Sequence, residues 1–410
     1  MLAEALDMNP GKMINCIISK SVAMIRQTSN NKEFTATDCI TGNIIKCKGD
    51  FPVLYAQEPG EDNLLFAGPG LVDLQINGVN GIDFNDTSIG EEGLFNASEY
   101  LLSRGITTFF PTVITNSGEN IRKILSVIDR ACKARPMLDQ CIGGIHLEGP
   151  FISGADGYRG AHNSRYVTAP DWDLFCSFQK ASGNRIRIIS LSPEWDNSTE
   201  FIRKCSKAGI IVGIAHSMAD SHQIRAAVDA GARLSTHLGN SVPLMLPRHP
   251  NVIWDQLAED RLYASIVADG YHLPDSFMRV VLKTKRKKTI LVSDTTYFSG
   301  MPPGVYETHI GKEVILEEGG RLSMKGQNGL LAGAAKLLIE NVEYLLVNKL
   351  ADLSVAWYMA SAGPARLAGY KKLNLTPGDY SDMVVFKIID GRIVILGVIK
   401  QGKVVWRPDE

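Results

Sequence analysis

No apolar run in the 410-residue chain approaches the ~18 residues of a membrane-spanning helix, which excludes an ordinary transmembrane segment. The seven cysteines, Cys16, Cys39, Cys47, Cys132, Cys141, Cys176 and Cys205, are odd in number and include no CxxC pair. A disulfide framework or a cysteine zinc site is therefore excluded, and buried thiols in a reducing compartment are expected. Neither charge sign is in excess: Lys+Arg 43 against Asp+Glu 44 leaves a net charge of −1. Such a surface has no global field to gather nucleic acid or anionic lipid, so no partner of either kind is expected. The first residues carry Glu4 and Asp7 where a secretory leader has a basic start and an apolar core, and the expected location is the cytoplasm. Low-complexity blocks are also missing. The 38 glycines stand singly at the ends of apolar runs, which suits many strand-to-helix turns.

What is present is an alternation. At 45% hydrophobic and 21% charged, the composition is that of a globular protein, and ~100–200 residues per domain gives two or three domains. From residue 68 to 294, short runs rich in β-branched residues are followed by longer stretches of helical period. The expected strands are Leu71–Ile76, Ile106–Ile114, Ile142–Glu148, Ile186–Pro193, Ile210–His216, Arg233–Leu238, Tyr263–Asp269 and Thr289–Asp294. Eight strands alternating with helices predict an α/β fold of the (β/α)₈ TIM-barrel type. Asn197-Ser-Thr-Glu200 reads as a capping box ahead of a helix over Phe201–Ala208. The flanks contain short extended pieces such as Met13–Ser19, Asn43–Lys48, Asp382–Lys387, Arg392–Leu396 and Lys403–Trp406. Neither flank can bury a core alone. Residues 1–67 and 366–410 are expected to join in one small β-sandwich domain, with the barrel over 68–365.

The polar residues fall at informative places. Glu148, His216, His237 and Asp294 end the third, fifth, sixth and eighth expected strands, and in a barrel these ends share the C-terminal rim that carries active sites. One carboxylate and two imidazoles make a zinc-type set that leaves a position for water, with Asp294 free to act on it. A lone strand-end histidine is more often structural than a ligand; the set is what points to a site. His146, two residues before Glu148, shares its strand face and is taken as a partner behind the ligands rather than a ligand. His162 in Arg159-Gly-Ala-His162 could reach the rim as a donor to a substrate carbonyl. His222, His249 and His309 are read as ordinary helix or loop residues.

Beyond this set, the chain resembles the N-acetylglucosamine-6-phosphate deacetylases of the amidohydrolase superfamily. The resemblance rests on Pro69-Gly-Leu-Val-Asp73-Leu-Gln75-Ile-Asn77-Gly78, His146-Leu-Glu-Gly-Pro150, Arg159-Gly-Ala-His162 and Ala215-His-Ser217. It continues through Thr236-His-Leu-Gly-Asn240, Ala268-Asp-Gly-Tyr-His272, Ser293-Asp294, Gly300-Met-Pro-Pro-Gly304, Leu331-Ala-Gly333 and Gly378-Asp-Tyr-Ser-Asp382. It implies Glu148, His216 and His237 as ligands of one divalent metal per chain, zinc first and iron or another divalent ion as alternatives. It implies Asp294 as general base and then acid, and His162 as the group polarising the acetyl carbonyl. The substrate-binding set would be Gln75, Asn77, Asn240, Ser241, Arg248, His272 and Ala332, with Asn240 and Arg248 on the phosphate and Arg248 crossing a homodimer interface. The ligand would be a small N-acetylated amino-sugar phosphate.

Where many amidohydrolases carry His-x-His on the first strand, this chain has Gln75 and Asn77. Neutral amides bind transition metals poorly, so a single metal is expected. The segment after His237 departs from the family pattern: Gly239-Asn240-Ser241-Val242 replaces an aromatic-Asn-Ala-Met run, and Thr295 follows Asp294 in place of Ala. Three readings stay open: a deacetylase of an amino-sugar phosphate, a deacetylase of another N-acyl compound, and a catalytically silent barrel.

Overall fold

The computed structural model describes residues 33–48, 64–308, 313–326, 330–370, 375 and 382–408. The expected strand Met13–Ser19, His309 and residues 378–381 of the last family motif lie outside these.

All eight barrel strands are present: Leu71–Ile76, Ile106–Ile114, Ile145–Glu148, Ile186–Leu191, Ile211–Ile214, Ala232–Ser235, Tyr263–Ile266 and Thr289–Leu291. They are numbered one to eight below. They pair in chain order, every pair parallel. Closure falls just past strand eight, where Asp294 N–H donates to Gln75 O at 2.9 Å and Asn77 N–H to Thr295 O at 2.8 Å. Parallel strands covered on both sides read as nearly unbroken apolar runs, which is why the sequence locates them. The inner face is filled by Leu74, Phe110, Ile188, Ile211, Leu234, Tyr263, Ile290 and Val292, so the barrel is a packed core with its chemistry confined to the rim.

Helices including Glu91–Ser103, Gly118–Ala134, Trp172–Ala181, Ser221–Ala230 and Asp275–Lys285 cover the outside. The capping box expected at Asn197 does not form. The helix runs Ser198–Lys207 with no side-chain cap at Asn197, whose Nδ2 instead donates to Pro170 O at 2.6 Å. A capping box does form at Asp220 and Gln223. No helix is long and apolar enough to cross a membrane among the described residues. Cys39, Cys132, Cys141 and Cys205 are buried and unpaired as expected, but Cys176 is exposed on the outer face of its helix.

Both chain ends do meet. Their described residues form one six-stranded sheet in the order Lys403–Trp406, Arg392–Lys400, Met383–Ile389, Phe66–Pro69, Glu33–Asp38, Ile44–Lys48. Only the pair Glu33–Asp38 and Phe66–Pro69 is parallel. The sheet seats on the barrel through Trp357, whose ring stacks on Phe386 at 4.3 Å and whose Nε1 donates to Pro69 O at 2.9 Å. Gly68 allows that contact, since a Cβ there would stand 2.3 Å from Trp357 Nε1. Lys400, buried in the sheet, adds a polar tie by donating to Thr107 O of strand two at 2.8 Å and to Asp382 at 2.7 Å. A further three-stranded antiparallel sheet, Gly304–Glu307, Glu313–Leu316 and Leu322–Met324, follows the barrel closure. The sequence pattern does not announce it.

Candidate active site

The four strand-end residues share one rim. Glu148 ends strand three, while His216, His237 and Asp294 lie two, two and three residues past strands five, six and eight. The sequence pattern runs the strands through these positions. They stop short because the three residues take positive φ values of +47°, +33° and +48°. Holding a non-glycine residue there costs roughly 1–3 kcal/mol and requires neighbours that fix it. Those neighbours are present. Ser153 N–H donates to His216 O at 2.9 Å, and the Glu194 carboxylate gathers Met218 N–H at 2.8 Å and the Ser217 hydroxyl at 3.1 Å just beyond it. His237 N–H donates to Ser265 Oγ at 2.8 Å, and Asp294 is held by the closing bond to Gln75 O.

The side chains converge on one oxygen. Glu148 Oε1 lies 2.9 Å from His237 Nε2, 3.5 Å from His216 Nε2 and accepts from Gln75 Nε2 at 2.9 Å. Burial pushes the Glu148 carboxyl up, but hydrogen bonds and charge from His216 and His237 outweigh it and hold it well below the ordinary range. Burial lowers His237, and Glu148 reverses this to raise it to about 9. His162 is pushed down to about 3, by burial first and by His216 second. Its ring lies 4.3 Å from that of His216, edge to face, and its Nδ1 is 2.8 Å from Thr115 Oγ1.

Donor atoms of Glu148, His162 and His216 all lie within 4.8 Å of one another. His237 makes the closer approach to Glu148, and its Nδ1 is buried with no hydrogen-bond partner. His216 Nδ1 faces Tyr158 O at 3.1 Å, which directs Nε2 to the site as the free donor atom. A buried carboxylate oxygen among imidazole nitrogens suits zinc or another first-row divalent ion. The residues therefore fit the metal that the resemblance implies.

Asp294 sits beside this cluster. Asn77 Nδ2 donates to its Oδ1 at 2.9 Å. Burial first, and the Glu148 charge second, push its carboxyl up to about 6. Gln75 and Asn77, expected to bind substrate, thus use their amide N–H groups on Glu148 and Asp294, while Gln75 Oε1 and Asn77 Oδ1 stay buried without partners. Beneath them Asp73 accepts from the N–H groups of Gln75 and Ser293, both at 3.2 Å.

The other expected residues divide. His272 is at the rim, its Nδ1 2.7 Å from Asp269 Oδ2. Ser241 Oγ is 3.4 Å from His216 Nε2, and Asn240 Nδ2 is buried without a partner. Ala332 packs beside the core of the three-stranded sheet. Arg248 and His249 are exposed on the loop after strand six, and neither makes a side-chain hydrogen bond to a rim residue among the described residues. His146 does not touch Glu148; its ring bridges Leu74 O at 3.0 Å and Ser190 Oγ at 2.7 Å inside the barrel. His222 is an exposed helix residue, as expected. Sequence reasoning missed Thr115, Glu194 and Asp269. For Thr115 and Glu194 no local signal exists, since these partners, His162 for one and Ser217 and Met218 for the other, lie in loops more than 20 positions along the chain. Asp269 had one: it stands three residues before His272 across a glycine.

Residues 66–405 match the amidohydrolase family. The chain is 31% identical over 352 residues to the N-acetylglucosamine-6-phosphate deacetylase of Bos taurus, covering 83% of this chain and 84% of that protein. It is 32% identical over 356 residues to the enzyme of the same name from Caenorhabditis elegans, covering 83% of each. The crystal structure of N-acetylglucosamine-6-phosphate deacetylase from Pasteurella multocida superposes with a TM-score of 0.76 at 26% identity, over 90% of this chain and 97% of that one. Barrel, rim and relatives agree, and the chain belongs to the amidohydrolase family of hydrolases, within its N-acetylglucosamine-6-phosphate deacetylase group.

Proposed function

We propose that the protein hydrolyses the acetamide of N-acetylglucosamine 6-phosphate, giving glucosamine 6-phosphate and acetate. The observation that carries this reading is the meeting of buried Glu148, His216, His237 and Asp294 on one rim in a chain of this family. Glu148, His216 and His237 would hold one divalent ion, zinc by its donor set, with iron or another divalent ion as alternatives. Such an ion lowers the pKa of water toward ~7 and polarises a carbonyl.

The chain's own groups then act at stated atoms. Asn77 holds Asp294 Oδ1 in place, and a carboxyl near pH 6 can take a proton from the attacking water and return it to the departing amine nitrogen. His162, kept neutral, donates from Nε2 to the amide oxygen while the Thr115 hydroxyl donates to its Nδ1. Asn240 and the partner subunit's Arg248 hold the phosphate. In support, Asn240 Nδ2 is buried and unpartnered, and Arg248 is exposed on a loop whose Leu244 and Met245 are 104% and 85% exposed. An exposed apolar pair of this kind is what an interface would cover. The unpaired thiols fit a cytoplasmic setting.

Activity on phosphorylated against unphosphorylated N-acetylglucosamine tests the reading, alongside metal content. Strong preference for the phosphorylated sugar is expected. Equal rates would favour the second reading, a deacetylase of an unphosphorylated N-acyl compound, which an exposed Arg248 would also permit.

A further inference from the structure

His272 presents its two ring nitrogens to different surroundings. Nδ1 lies 2.7 Å from Asp269 Oδ2, whereas Nε2 has no hydrogen-bond partner among the described residues. The residue follows the C-terminal end of strand seven, Tyr263–Ile266, on the same side of the barrel as the other rim residues.

Asp269 is built for a fixed geometry. It is 1% exposed. Its Oδ1 accepts two backbone N–H groups, Tyr271 at 2.8 Å and His272 at 2.9 Å, and its backbone O accepts from Lys336 Nζ at 3.0 Å. Tyr271, between the two residues, donates its hydroxyl to Gly319 O at 2.8 Å, and Gly270 adopts φ +84° with no room for a Cβ against the Tyr344 ring. With Oδ1 committed to the backbone, only Oδ2 remains for the imidazole.

We propose that Asp269 is a positioning residue that fixes His272 with its proton on Nδ1, leaving Nε2 as a bare acceptor that reads a hydroxyl donor on the sugar. The physical reason is that a carboxylate accepts only, so the nitrogen facing it carries the proton and the neutral ring offers a lone pair at the other. Asp269→Asn reverses this. Asparagine keeps Oδ1 for the two backbone donors and places an NH₂ group opposite Nδ1, which must then accept, moving the ring proton to Nε2. The loop keeps its backbone bonds while the polarity of the nitrogen facing the sugar is inverted.

This inference rests on the deacetylase reading for its substrate, but its first test does not. Long-range ¹H–¹⁵N correlation spectra of the metal-loaded full chain, with His272 assigned by its loss in His272→Gln, report which nitrogen carries the proton. The expected result is Nδ1–H in the wild type and Nε2–H in Asp269→Asn, with the melting temperature little changed. An Nε2–H tautomer in the wild type overturns the proposal, whether or not any variant folds. The second test is kinetic. Loss of a partner that orients a functional imidazole typically costs 10–100-fold in activity, so Asp269→Asn should lose that much kcat/KM. In the His272→Gln background the same substitution should change it less than about twofold, because coupled residues are not additive. Additive losses would mean a merely structural loop residue and would sink the idea. Absence of deacetylase activity in the wild type would remove the function proposed above and leave the tautomer of His272 as the spectra define it.

Discussion

The rim and the loop that leaves it at Gly239 are built on opposite principles. At the rim the chain accepts left-handed backbone at His216, His237 and Asp294 and buries charged groups, each fixed by bonds to other strands. The loop from Gly239 runs to Asn251, which caps the helix Val252–Ala258; it is still longer than the ~2–6 residues usual for a strand-to-helix connection and leaves Leu244, Met245 and Arg248 exposed. Fixed geometry suits a reaction common to a family, where a 1 Å misplacement is costly. An exposed loop with few bonds of its own suits selectivity, which can change without disturbing the chemistry. The departure at Gly239-Asn240-Ser241-Val242 falls in that loop, while Thr295 beside Asp294 is a departure at the rim itself.

The largest expected effect would break the rim. His216→Ala or His237→Ala should lose the metal and bring activity to background, while circular dichroism still reports the barrel. Full metal occupancy in either variant, by elemental analysis, would exclude that residue as a ligand. Asp294→Asn comes next. It should keep the metal and lower kcat by ~10²–10⁴-fold, the usual worth of a general acid–base group. Because the Asp294 carboxyl is pushed up to about 6 and must be ionised to accept a proton, the wild-type rate should fall as pH drops through that value. The Asn variant should lack that acidic limb.

The same contrast explains what could be read in advance. Buried parallel strands announce themselves by unbroken apolar runs, so all eight were placed. Their ends were not, because a left-handed residue after a strand has the same composition as a strand residue. Glu148, His216, His237 and Asp294 are legible since each is an ionisable residue at the end of a strand-length run that is mostly apolar or small. His146 shares the face of Glu148 by period two and feels its charge, and its hydrogen-bond partners, Leu74 O and Ser190 Oγ, lie on other strands where no local signal points to them. The strand order of the small sheet depends on pairing across some 300 residues, as in Phe66 with Phe386, and no local signal encodes it. Thr115 and Glu194 act on residues of distant loops and are invisible for the same reason.

Arg248→Ala sharpens the comparison from the loop side. A charge-assisted hydrogen bond contributes ~1.5–3 kcal/mol, so KM for the phosphorylated sugar should rise roughly 10–100-fold and hardly move for the unphosphorylated one. Metal content should be unaffected. Mixing Arg248→Ala with His237→Ala subunits should restore part of the activity, because a hybrid dimer holds one site with an intact metal set and an intact arginine from its neighbour. Equal losses on both substrates, or a monomer in sedimentation, would remove the loop from the site.

The smallest effect lies beneath the rim, at Asp73. Burial pushes this carboxyl up to about 7, with hydrogen bonds from Ser293 and Gln75 only partly opposing it. A carboxyl raised in the folded state contributes its full share of stability below the unfolded value of 3.8, and that share is lost as pH rises through about 7. Asp73→Asn leaves an acceptor for both backbone donors and replaces Oδ2, which has no partner. The variant should therefore melt a few degrees above the wild type at pH 8, and the gap should close as pH falls toward 5. Activity should change little, since Asp73 makes no hydrogen bond to Asp294 and the Asp294 charge is the smallest of the influences on its carboxyl. If the gap instead widened on acidification, the ionised carboxylate would be stabilising the barrel closure, and the claim that the rim retains buried charge against a cost would fail at this position.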